Sequence, residues 1–246
     1  MITGAGTLLN VAAIVVGSGV GVALGGRLPE RTRDVVTDGL GLLTLLVAGL
    51  TCVAVKDAAF VSATGKAGPV LVVLGAILIG GIIGSLLGLE RRVEDLGHWL
   101  RARLVREEQD QRFVEGFVSA SLVFCIGPLA ILGSLSDGLG NGIDQLALKA
   151  ALDGFAAVAF AAALGWGVAA SALSVAVYQG VWTLIGVVAG GVLPPAEIAA
   201  MTVVGGVLLV GVSIRLLRLR DLPVADLLPA VIVAPILTAL IAHFSG

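Results

Sequence analysis

The residues of this chain with most to offer chemically lie inside long apolar runs, where polar side chains are expensive. Glu115 opens one such run, with Ser119 one helical turn on and Ser121 and Cys125 deeper. On a helix, Glu115 and Ser119 share a face. That pattern suits a mouth whose carboxylate holds a cation or a proton. The competing reading, slightly favoured, leaves Glu115 in the lipid headgroups or paired with an arginine. Gln179 lies near the middle of another run, beside Tyr178. An amide at that depth needs partners, so it either binds a solute or ties two helices together. Asn10 poses the same choice, with the structural role preferred.

Asp153 follows Lys149 by four residues. A helix places such a pair in contact, which would neutralise two charges that are each costly in lipid. Asp137 and Asp144 precede it in what reads as an outer loop. That loop is either simply solvated or a vestibule that attracts cations. Gly127-Pro128 interrupts the run that Glu115 opens, and Pro229 and Pro235 do the same near the C-terminus. Each proline removes the bond to the carbonyl one turn earlier, at Phe124, Ala225 and Val231. A carbonyl freed at membrane depth finds a neighbour or coordinates an ion.

No catalytic set accompanies these residues. The two histidines, His98 and His243, are far apart in sequence, and there is no phosphate loop, nucleophile elbow or metal motif. The glycine-rich stretches have no strand before them, which rules out a dinucleotide fingerprint. Cys52 and Cys125 read as small buried hydrophobes. The expectation is a protein without enzymatic activity, cofactor, metal or nucleic-acid partner, whose partners are membrane lipid and a small solute or ion.

The elements that position these residues follow from composition. The chain is 58% hydrophobic and 13% charged, with 35 glycines, and its mean hydropathy is +1.07. A soluble chain of this length needs far more charge to cover its surface. The expected fold is all-α, a polytopic transmembrane helical bundle of about eight spans forming one membrane domain over 1–246. A span needs about 20 apolar residues. Eight runs qualify: Leu8–Gly26, Thr37–Val55, Pro69–Leu89, Phe113–Gly133, Ala147–Leu164, Ala169–Gly191, Ile198–Leu217 and Val224–Phe244. The fifth is short and carries Lys149 and Asp153. Met1 to Ala5 lacks the basic start of a signal peptide, so the first run reads as a retained helix.

Charge orients the spans. With the N-terminus outside, the inner loops hold Arg27, Arg31 and Arg33, then the arginines from Arg91 to Arg112, then Arg215, Arg218 and Arg220. Lys56, Lys66 and Lys149 fall on the outer side. This is a strong positive-inside bias, with both termini outside. Residues 90–112 are too charged to span. Val93, Leu96, Leu100 and Leu104 recur at helical spacing, with acids leading and arginines following, which suits a cytoplasmic helix on the membrane interface and its connector.

Glycines recur at four-residue steps in the first, third and sixth spans: Gly17, Gly21 and Gly25; Gly80, Gly84 and Gly88; Gly186 and Gly190. Such steps make grooves for close helix crossing, and they offer faces for a homo-oligomer. Gly-x-Leu-Pro follows the first and the sixth, at Arg27-Leu28-Pro29 and Val192-Leu193-Pro194. These pairs turn on opposite sides of the membrane, which points to an inverted repeat, a recurrent device of secondary transporters.

Several of these motifs together resemble a family of bacterial inner-membrane proteins known as domain of unknown function 554. They are Arg27-Leu28-Pro29-Glu30-Arg31, Phe113-Val114-Glu115-Gly116-Phe117 through Ser121-Leu122, Phe124-Cys125, Gly133-Ser134, Asp137-Gly138-Leu139, Lys149, Asp153-Gly154-Phe155, Leu164-Gly165 and Tyr178-Gln179-Gly180. Pro128-Leu129 departs from the pattern, where small residues or Met are expected. The resemblance implies a transporter or channel in the bacterial inner membrane and supplies no mechanism. The expected function is therefore a small secondary transporter or ion-conducting protein for a cation or small polar solute. Its expected site comprises Glu115, Ser119, Ser121, Gln179, Asp153 and Asn10, with the helix break at Gly127 and Pro128. The rival is a scaffold that organises lipid or protein without transport.

Overall fold

The computed structural model describes residues 3–25, 29–104, 112–125, 128–189 and 193–245. The regular structure among these residues is helical, with no strand among them. The helices are α1 (Ala5–Gly25), α2 (Glu30–Cys52), α3 (Ala58–Thr64), α4 (Gly68–Leu87), α5 (Leu89–Leu104), α6 (Arg112–Cys125), α7 (Pro128–Gly138), α8 (Asp144–Leu164), α9 (Gly167–Ala189), α10 (Pro195–Leu216) and α11 (Ala230–Ser245), with short 3-10 turns at Val53–Lys56 and Val224–Leu227. Seven segments are long and apolar enough to cross a membrane, and an eighth exists if α6 and α7, which meet at 63°, form one span. This is a polytopic helical bundle. The fifth run is a full helix of 21 residues.

The chain forms two compact units. The first comprises Met1–Gly41, Val93–Cys125 and Leu129–Val192; the second comprises Leu42–Arg92, Ile126–Pro128 and Leu193–Gly246. In the first, α1 lies along α8 with residue numbers rising together, so the two helices are parallel. A Cβ on Gly17, Gly21 or Gly25 would strike the carbonyl oxygen of Gly154, Val158 or Ala162. Backbones approach this closely only where the side chain is absent. α6 runs parallel to α9, with Gly167 seated on the Phe113 carbonyl and Ser121 Oγ 3.0 Å from Ser174 Oγ. α5 lays Gly97 against Phe117 and Val114 of α6. Its other side exposes Trp99, with the Arg103 guanidinium 5.2 Å from the indole centre.

In the second unit, α4 runs antiparallel to the Val224–Leu227 turn and α11. Gly84 meets the Asp226 carbonyl and Gly80 meets Ala230. α4 ends at Gly88, whose φ of 60° closes the helix in the left-handed region. Gly206 of α10 packs on Cys52 and Ala48.

Two sequence expectations change here. Asp137 does not belong to an outer loop: it lies in α7 and is buried. The Ala225 carbonyl is not free, because it accepts the Leu228 N–H at 3.1 Å. Pro128, at the expected helix break, begins α7, which meets α6 at 63°. Gly26, Arg27, Leu28, Gly127, Gly190, Gly191, Val192 and the connector 105–111 lie outside the described residues.

Candidate functional site: a polar layer in the first unit

The polar residues of the first unit converge on one level. Lys149 and Asp153 both emerge from α8, one turn apart, and both are buried. The Lys149 ammonium donates to Asp153 Oδ2 at 2.7 Å. Asn10 of α1 donates from Nδ2 to the same oxygen at 3.0 Å. The parallel packing of α1 on α8, set by the glycine groove, brings Asn10 to Asp153. Oδ1 of Asp153 takes part in neither bond.

α9 completes the layer. Thr7 Oγ1 of α1 lies 3.5 Å from Thr183 Oγ1 of α9. One turn further along α1 is Asn10, and one turn back along α9 is Gln179. Because α9 runs against α1, these two steps go the same way, so Gln179 stands at the level of Asn10. Gln179 is 0% exposed, and neither its Oε1 nor its Nε2 has a hydrogen-bond partner among the described residues. Asn10 Oδ1 and Ser18 Oγ are also buried without partners. Each buried polar group left without a partner costs about 1–3 kcal/mol.

α6 ends at this level. Its last residue, Cys125, lies within electrostatic reach of Lys149, Asp153 and Tyr178. Tyr178 packs edge-on to Trp182 with ring centres 6.4 Å apart, and Phe124 packs edge-on to Phe160 of α8 at 6.0 Å. The Ser121–Ser174 bond lies one turn below.

The structure thus joins Asn10 to Asp153 and sets Gln179 at their level, with Ser121 one turn away. It does not bring Glu115 to them. Glu115 is ten residues before Cys125, about 15 Å along α6, half-buried and without an ion pair among the described residues. Ser119 is buried on the same helix. Pro128 starts the helix that follows the layer, and Gly127 lies outside the described residues.

Three members were missing from the sequence-level set. Thr7 stands three residues before Asn10 and Thr183 four after Gln179, and those helical spacings could have flagged both. Asp137 left no local signal. Its Oδ2 accepts the Gly6 N–H at 3.1 Å and its Oδ1 the Gly4 N–H at 3.2 Å. It therefore caps α1, where a carboxylate meets the positive end of the helix dipole. No group of three or more His, Cys, Asp or Glu side chains able to hold a metal occurs among the described residues.

Comparison with known proteins places this architecture in context. The family described as "Protein of unknown function (DUF554)" matches residues 5–239. The chain is similar to the uncharacterized membrane protein YdfK of Bacillus subtilis (strain 168), with 26% identity over 97% of each chain. It is also similar to the uncharacterized protein YqgA of Escherichia coli (strain K12), with 28% identity over 95% of this chain and 96% of the relative. No solved structure matches the chain.

Proposed function

We propose, from the premise that this chain belongs to the DUF554 family of proteins of unknown function, that it is a small secondary transporter or ion-conducting protein of the bacterial inner membrane. Its site is the polar layer of the first unit, and its cargo is a small ion or polar solute. The observation that carries this reading is Gln179: a fully buried amide with both polar atoms unpartnered among the described residues, level with a buried ion pair. A scaffold would gain from a closed hydrogen-bond set or an apolar side chain at that position. A transport site needs polar capacity held open for its cargo.

Eight crossings with both termini outside follow in this reading. α1 and α8 are parallel, so the number of crossings separating them must be odd. With α2 and α4 each crossing once, the bent pair α6–α7 supplies the third. The arginine distribution agrees. Lys149, buried in α8, no longer counts as an outer surface charge, which leaves Lys56 and Lys66 outside. The first and sixth spans, α1 and α9, then run in opposite directions, as counterparts in an inverted repeat require.

The test is reconstitution in liposomes with a panel of ions and small metabolites. The expected result is flux of a solute that Gln179→Leu abolishes and Gly19→Ala, at an open helix face, preserves. Absence of flux for every class offered, or flux indifferent to Gln179→Leu, overturns the proposal.

A further inference from the structure

The charge and donor balance of the polar layer goes further. Among the described residues the buried charged side chains are Asp137, Lys149 and Asp153, and all three belong to the first unit. Their sum is one net negative charge. Asp137 bonds Gly6 and Asp153 bonds Asn10, so the two carboxylates are held four residues apart along α1, about 6 Å. The α1 N-terminus offsets about half a charge at Asp137. A buried negative excess is costly without a counter-ion.

The unused groups favour a cation as that counter-ion. Among the described residues Asp153 Oδ1 has no hydrogen bond, while Asn10 Oδ1 and Gln179 Oε1 are buried acceptors without a donor. Three oxygens, from α8, α1 and α9, are thus available at one level, with a carboxylate among them. Hard oxygen ligands of low total charge suit a monovalent alkali cation better than a thiophilic metal or a strongly hydrated divalent ion. The position such a cation would take beside Asp153 already has a cationic neighbour. The Lys149 ammonium is itself a monovalent cation on a flexible tether, seated on the same carboxylate.

We propose that Asp153, Asn10 and Gln179 form a monovalent-cation site and that Lys149 is its tethered competitor, which leaves Asp153 when a free cation binds. The proposal rests on the transport reading and adds to it the chemical class of the cargo. Lys149 lies five residues from the start of α8, and its four-carbon stem allows the ammonium to withdraw toward that end. Asp137 lies in the same direction: Gly6, which it binds, packs on Leu146, one turn before Lys149. The ammonium then moves between two carboxylates while the cation takes the inner one, so no charge is left alone at either position.

The experiment is equilibrium binding of radiolabelled sodium and rubidium to the purified full chain in detergent, with choline holding ionic strength constant. Lys149→Met is expected to bind one of these cations at least about tenfold more tightly than wild type, because the competitor is gone. The charge-neutral double variant Lys149→Met/Asp153→Asn is expected to lose binding, and Gln179→Leu to weaken it. If Lys149→Met fails to fold, the wild-type chain answers: the cation that binds should raise its melting temperature, and Gln179→Leu should abolish that rise. Unchanged affinity in Lys149→Met, or binding that survives in the double variant, overturns the proposal. So does a wild-type chain whose melting is indifferent to either cation when Lys149→Met does not fold. Flux of some other solute in liposomes without cation binding overturns the cation assignment and leaves transport standing. Cation binding without flux supports this site and removes the transport reading.

Discussion

Glu90 and Asp226 cap each other's segments. The Glu90 N–H, at the start of α5, donates to Asp226 Oδ1 at 2.8 Å, while Glu90 Oε2 accepts the N–H of Ala225, Asp226's neighbour in the 3-10 turn, at 2.7 Å. Glu90 Oε1 also pairs with Arg215 in the last turn of α10. One carboxylate thus joins three segments of the second unit. Glu90→Ala removes the acceptor of the Ala225 N–H and one of the carboxylates paired with a largely buried guanidinium, which keeps Asp221 at 3.3 Å. Bonds to charged groups are worth about 1.5–3 kcal/mol each. The loss is expected to reach roughly 3 kcal/mol, read as a lower melting temperature in detergent, with Glu90→Gln intermediate.

Gly84 and Gly19 form a matched pair for the packing argument. A Cβ on Gly84 would strike the Asp226 carbonyl, whereas one on Gly19 meets nothing. Gly84→Ala is expected to destabilise by about 1–3 kcal/mol through overpacking. Gly19→Ala should be neutral or stabilise by up to about 1 kcal/mol through helix propensity. Equal melting of the two variants would remove the groove as a determinant of the fold.

Asp137→Ala removes the acceptor for the Gly4 and Gly6 N–H groups. Loss of an N-terminal cap costs about 0.5–2 kcal/mol. Hydrogen exchange should rise in the first turn of α1 before it rises in α8. Uniform exchange across both helices would show that the capping bonds do not hold α1.

Gln179→Leu separates function from stability. Replacing an unpartnered buried amide with an apolar side chain of similar size is expected to leave the melting temperature of the unloaded protein unchanged or to raise it, by about 1–3 kcal/mol in stability. A clear fall would mean that the amide is structurally bonded, and the open-site argument would fail with it.

Orientation is tested by single-cysteine labelling in intact cells. An impermeant reagent is expected to reach cysteines placed at Ser62 and Gly140 and to miss Arg101→Cys. Labelling at position 101 would reverse the arginine-based topology.

Much of the fold was legible because it depends on local properties. Hydropathy places each crossing helix within a few residues, since transfer into lipid is a property of the segment itself. The Lys149–Asp153 pair was also legible, being fixed by helical rise alone. The length of α8 was harder to read: its charged residues look like an interruption until their neutralisation is visible. Asp137 was misread, and the partners of Glu90 were not legible, for a related reason. In sequence each is an acid at a helix end or in a loop, and only distant partners reveal that their oxygens are engaged.

What the sequence by itself determined is the apolar, helical character of this protein, the placement of its seven long apolar helices and the small-residue faces on which they cross. These follow from composition and a 3.6-residue period, which specify the face a helix presents but not the helix that meets it. Only the tertiary structure decided that Asn10 reaches Asp153 across 143 positions, that Gln179 lies level with them and that Glu115 stands apart. Those outcomes depend on the parallel seating of α1 on α8 and of α6 on α9. That seating is set by carbonyl oxygens fitting over glycines far away in the chain, a relation that local spacing does not encode.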